Sequence, residues 1–153
     1  MKVQRSKVTA VTPDLLATAN LSVNTDGEGF YEITRDVQQF VHDTGADHGI
    51  VFLYLRHTSA SLLIQENADR DVRVDLLAAL GRLAPTDAGW IHDTEGPDDM
   101  PAHVKTMLTG ISLHVPVKGG MVALGTWQGI YLVEHRARPH AREVVLQFVG
   151  LRS

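Results

Sequence analysis

The final stretch of the chain most tightly constrains its fold. Four strand-like runs follow one another there, at residues 111–117, 121–124, 130–134 and 143–149. Turns at 118–120, 125–129 and 136–142 separate them. Connections this short join antiparallel neighbours, because a parallel crossover needs about a dozen residues or more. An antiparallel sheet therefore forms the carboxy-terminal part.

The preceding residues supply more strands and the helices. Residues 2–11 alternate polar and apolar, which predicts a strand with one wet face. Residues 12–26 contain Pro, Asp and Asn and read as a loop, with a short helical turn at 14–19. Residues 28–33 form a short strand. Thr34 then caps a helix whose Val37, Phe40 and Val41 keep helical spacing until Gly45 stops it. Residues 49–57 (GIVFLYLRH) form a buried strand, with residues 60–66 (ASLLIQE) as its neighbour. Asp69 caps the next helix, 70–83, with Val72, Leu76, Leu77 and Leu80 on one face. Pro101 is the first residue of a helix ending at Gly110, with Asp98 and Asp99 near its positive end. The sum is a single α+β domain over residues 1–153: an antiparallel sandwich or barrel-like sheet with two to three helices.

Composition narrows the function classes. Apolar residues make up 44% and charged residues 21%, as in a soluble globular protein. The net charge is −4 and the 14 basic residues are scattered, so no clustered basic face exists for nucleic acid. No run reaches the ~18 apolar residues of a membrane span, and no signal peptide opens the chain. Cysteine is absent, which removes disulfides, thiolate ligands and thiol nucleophiles and fits a cytoplasmic protein. Histidine is over-represented at eight, which directs attention to metal or acid–base chemistry.

Four constellations carry such chemistry. At the end of the 49–57 strand stand His57, Thr58, Ser59 and Ser61. Their hydroxyls and imidazole suit a phosphate or metal-bound ligand, or satisfy a polar turn. Next is GWIHDTEGPDDMPAHVKTMLTG, residues 89–110. His92 and His103 are ligand types for zinc, and Asp93, Glu95, Asp98 and Asp99 can add oxygens or orient an imidazole. No local zinc signature is present, so any site is completed from elsewhere. In GTWQG, Trp127 can stack on a flat ring and Gln128 bond its edge, with a core-plugging Trp127 as the plainer reading. Finally, Glu134 and Arg136 share one face of a strand that gives His135 the other, and Glu66 supplies a second carboxylate as ligand or base.

HTSASLLIQEN, HDTEGPDDMPAHVK and GTWQGIYLVEHR together resemble the YjbQ-like family, also described as secondary thiamine-phosphate synthases. The resemblance runs from about Phe30 to the end. It implies an α+β sandwich with a barrel-like sheet, assembled as a homotrimer. It also implies that a pyrimidine pyrophosphate is joined to a thiazole phosphate. On that reading His57, His92 and His103 form a shared polar cleft for a divalent metal, zinc or magnesium, or for a phosphate. Glu66, Glu134 and His57 are the catalytic candidates. Thr58, Ser59, Ser61, Lys118, Trp127, Gln128 and Arg136 hold a small anionic or phosphorylated substrate. His135 is a bystander, since related members often carry Phe there. Two alternatives stay open: a metal-dependent hydrolase of a phosphate ester or amide, and a trimeric small-ligand binder without turnover.

Overall fold

A computed structural model describes residues 1–153. Its chain order is β1 (Leu15–Thr25), β2 (Gly29–Glu32), α1 (Thr34–Asp43), β3 (Ala46–Leu55), β4 (Ala60–Glu66), α2 (Arg70–Leu83), α3 (Asp99–Thr109), β5 (Ser112–Lys118), β6 (Met121–Val122), β7 (Gln128–Glu134) and β8 (His140–Arg152). The strands form two antiparallel sheets. One has the order β1-β8-β3-β5-β6, the other β2-β7-β4. No helix is long and apolar enough to cross a membrane.

The core lies between the two sheets. Val51, Leu53 and Leu55 of β3 and Val144, Leu146 and Phe148 of β8 point inward from the larger sheet. Leu62 of β4 and Ile130 and Leu132 of β7 meet them, and α1 adds Val37 and Val41. Gly49 stands opposite Gly150, and a Cβ on Gly49 would come within 2.8 Å of the Phe148 ring. The glycine pair therefore makes room for that ring.

Several expectations are corrected. Residues 1–14 form no strand and are exposed throughout. Their apolar positions change parity between Val3 and Val8, so they offer no continuous face to bury. The loop expected over 12–26 is instead mostly the long strand β1. Leu15, Ala17, Ala19, Leu21 and Val23 face inward, while Leu16, Thr18, Asn20, Ser22 and Asn24 face water. The two Asn, read as turn signals, cost little on the wet face of an edge strand. Nor is β4 the neighbour of β3: it pairs with β7, and β3 lies between β8 and β5.

β3 is buried on one face only. Ile50, Phe52 and Tyr54 are 38%, 41% and 51% exposed. Thr34 is the first residue of α1, behind Ile33 at the N-cap. Its hydroxyl instead donates to Glu32 and accepts the Ile130 N–H. Pro101 is the third residue of α3, where its missing N–H is still unneeded. α2 follows its expected bounds and Asp69 cap, but its apolar face is only half-buried.

Candidate functional site

The site gathers around the first turn of α3. Asp99 and His103 are one helical turn apart and share a face. His92 reaches them from the preceding loop, which bends at Gly96, where φ is +108°. The His92 Nε2 lies 2.7 Å from Asp99 Oδ2, and the His103 Nε2 lies 3.3 Å from the same oxygen. Those three donor atoms all fall within 4.8 Å of one another. Asp99 itself is buried, whereas the two imidazoles are open to the surface.

The shell around these groups is ordered. His103 Nδ1 is 2.9 Å from the Thr58 carbonyl. A carbonyl only accepts, so Nδ1 carries a proton and Nε2 is the nitrogen turned toward Asp99. Arg136 clamps the loop with all three guanidinium nitrogens. Nε donates to Asp98 at 3.1 Å, Nη1 to Asp99 Oδ1 and Nη2 to the Glu95 carbonyl at 2.8 Å. Burial would raise the Asp99 carboxyl, but the His92 hydrogen bond and the neighbouring Arg136 and His103 outweigh it and hold it low.

A second buried network lies beside it. Arg142 donates to both Glu134 oxygens and to the Ser59 hydroxyl at 3.0 Å. The Thr25 hydroxyl donates to Glu134 at 2.8 Å, and so does the Arg136 backbone N–H at 3.0 Å. Burial pushes the Glu134 carboxyl up, yet Arg142 and these donors win and its net direction is downward. Glu134 is thus a fully paired interior carboxylate. His57 closes this network: the Glu143 N–H donates to its Nε2 at 2.9 Å, and Arg142 faces its Nδ1. Burial, then Arg142, lowers its pKa, so the ring stays neutral.

The remaining candidates divide by position. Thr58 and His57 line one cleft with His103. Ser61 is buried, where its hydroxyl bonds to Thr109 and, at 2.7 Å, to His135 Nε2. Glu66, Trp127 and Gln128 stand at the opposite end of the smaller sheet, where Glu66 pairs with Gln128. Ala60 and Glu66 are the two ends of the seven-residue strand β4, about 20 Å apart at ~3.3 Å per step. Trp127 is 63% exposed and does not plug the core, and Gln128 Oε1 accepts from the Gly125 N–H of its own turn. Lys118 is the last residue of β5, at the far end from Ser112, where it pairs with Met121 of β6. His57 is not among the atoms that converge with His92 and His103; Asp99 takes that third place.

Sequence reasoning counted Asp99 only among four acids able to add an oxygen or orient an imidazole, and it did not single out Arg142. Both left a signal. Asp99 and His103 have i,i+4 spacing. Arg142 has the same parity as inward-facing Val144, Leu146 and Phe148, just as Glu134 matches Ile130 and Leu132. Two opposite charges at inward parities of adjacent segments predict a buried pair.

Fold and site together define an α+β protein of two antiparallel sheets with a histidine–carboxylate cluster at the head of its third helix. Residues 19–151 match the family model described as UPF0047 protein YjbQ-like, and the chain belongs to that family. A UPF0047 protein of Synechocystis is 46% identical over 131 residues, covering 85% of this chain and 89% of that one. YjbQ of Escherichia coli O157:H7 is 38% identical, covering 85% and 95%. Among solved structures, a yjbq/upf0047 family protein of Clostridium acetobutylicum superimposes with a TM-score of 0.79 at 34% identity, over 85% of this chain and 98% of that one.

Proposed function

We propose that His92, Asp99 and His103 bind a divalent metal ion, zinc foremost, and that the protein is a metal-dependent hydrolase of a phosphate ester or amide. One observation carries the reading. The His92, Asp99 and His103 ligand atoms lie within 4.8 Å of one another, and the Thr58 carbonyl, 2.9 Å from His103 Nδ1, leaves Nε2 as the nitrogen turned toward Asp99. Two nitrogens and one carboxylate oxygen suit zinc, leave a fourth position open, and are poor ligands for magnesium. A bound ion of this kind supplies Lewis acidity and activates water near neutral pH. The chain's own part is orientation: Thr58 fixes His103 and Arg136 fixes Asp99.

The synthase reading implied by family resemblance has less support, because Lys118 and Trp127 are remote from the histidines. A homotrimer is part of the proposal, and the exposed row of Ile50, Phe52 and Tyr54 supports self-association.

Metal analysis of purified wild type and His103→Ala tests the site. One zinc per chain in the wild type and none in a variant with unchanged circular dichroism supports it. A wild type that takes up no stoichiometric metal, or a variant that keeps it, overturns it. Bound zinc without turnover of any ester or amide selects the binding-protein alternative.

A further inference from the structure

We infer that the compound received at this cleft carries an uncharged, ring-bearing group beside the metal ligands, so that its scissile bond is an amide and not a phosphate ester. The inference rests on the metal-site reading above and narrows its substrate class.

Two concavities flank the cluster. One, of about 740 Å³, is bordered by Trp90, Ile91, Met100 and His92. The other, of about 380 Å³, is bordered by His57, His103, Met107 and Ile111. Each ligating imidazole thus faces apolar surface. The Trp90 indole N–H donates to the Pro85 carbonyl at 2.8 Å, which satisfies its polar edge and leaves the ring as a held platform. Ile91 is fully exposed beside it. An apolar side chain and an indole at the rim of a polar cluster are the usual make-up of a small-molecule site.

The charges decide what the platform holds. No lysine or arginine borders either concavity. Arg136 is paired with Asp98 and Asp99, Arg142 with Glu134, Arg56 with Glu143 and Lys105 with Glu28. Asp93, by contrast, borders the larger concavity directly. Phosphate recognition draws on free Arg or Lys forks. At the larger concavity a phosphate dianion would meet Asp93 with no bordering lysine or arginine to offset it. An uncharged amide meets no such opposition. Its cleavage balances with water alone: oxygen adds to the carbonyl carbon, the carbon–nitrogen bond breaks, and a water proton passes to the departing nitrogen. A carboxylic acid and an amine result.

The test uses benzamide and phenyl phosphate, which share a ring and differ in charge, with saturation-transfer NMR on the full chain. Zinc-loaded and chelator-treated samples are run in parallel. The expected result is benzamide binding at least tenfold tighter than phenyl phosphate in chelator-treated protein. Trp90→Ala and the fully exposed Ile91→Ser should each weaken it several-fold. Phenyl phosphate binding as tightly as benzamide there, absence of benzamide binding, or indifference to both variants overturns the inference. Zinc content of the same samples reports on the metal reading separately. Zinc bound with no ring preference removes only this inference. A ring preference without zinc uptake removes only the metal.

Discussion

At the scale of single residues, His135 is the most informative side chain outside the cluster. The Thr109 hydroxyl donates to the Lys105 carbonyl at 2.7 Å, so it must accept from Ser61. Ser61 in turn accepts from His135 Nε2, and that ring therefore carries its proton on Nε2. Nδ1 is left buried with no partner. Burial, reinforced by Lys105, lowers its pKa to about 4. A histidine held neutral in the fold destabilises it as pH falls from the unfolded value of 6.5 to about 4, because the unfolded chain binds the proton first. Full expression of that difference is about 3 kcal/mol. His135→Phe should flatten the stability profile across that window and leave pH 8 stability near wild type, as read by urea midpoints. An unchanged slope would show that other groups set it. Arg136 gives the second prediction. Arg136→Lys supplies one ammonium where three directed nitrogens now bind Asp98, Asp99 and the Glu95 carbonyl. Zinc affinity, measured by competition with a chromogenic chelator, should fall about 10- to 100-fold, as for other loss of ligand-orienting groups.

Among the elements, α2 and β1 teach opposite lessons. α2 was legible to the residue, because cap, spacing and length all agree. Even so, it buries none of its residues fully. Asp69 Oδ1 accepts the Asp71 N–H at 2.8 Å, and Asp69→Ala should cost the helix about 1 kcal/mol. Because so little of α2 is anchored, that loss should appear as faster amide exchange confined to α2, not as a lower global melting point. A uniform loss of protection across β3 and β8 would mean that α2 is coupled to the core after all. β1 was misread because Asn20 and Asn24 speak for a turn locally, while the alternation of Leu15, Ala17, Ala19, Leu21 and Val23 speaks for a strand. Pairing with β8 decided between them. The site was half legible for a similar reason. His92 and His103 stand out as residue types, but the partner that joins them is fixed by how the loop folds back onto α3. Lys118 and Trp127 were grouped with them by chemistry, and strand direction carries both to the other end of the sheets.

At the scale of the molecule, the outer face of the larger sheet is unusual. Ile50, Phe52 and Tyr54 stand exposed on β3, with Leu16, 66% exposed, on the same sheet. Pro116 and Val149 flank Ile50 on the adjacent strands. An apolar patch running across several strands is a common mark of association. Phe52→Lys should shift sedimentation from an oligomer toward the monomer while far-ultraviolet dichroism stays the same. A wild type that sediments as a monomer at tens of micromolar would remove the self-association proposal.

The pairing of β1 with β8 has a consequence for chain connectivity. The Asp14 N–H donates to the Gly150 carbonyl at 2.9 Å, and the Arg152 N–H donates to the Asp14 carboxylate at 3.0 Å. Residues 14 and 152 are therefore neighbours in space, although almost the whole chain separates them in order. A short Gly-Ser joint between them would close the backbone into a ring. Cutting that ring at the tip of the β5–β6 hairpin, at Gly119, would give a circular permutant with every core ladder intact. New ends would then lie far from the histidine cluster, a convenient place to fuse a reporter.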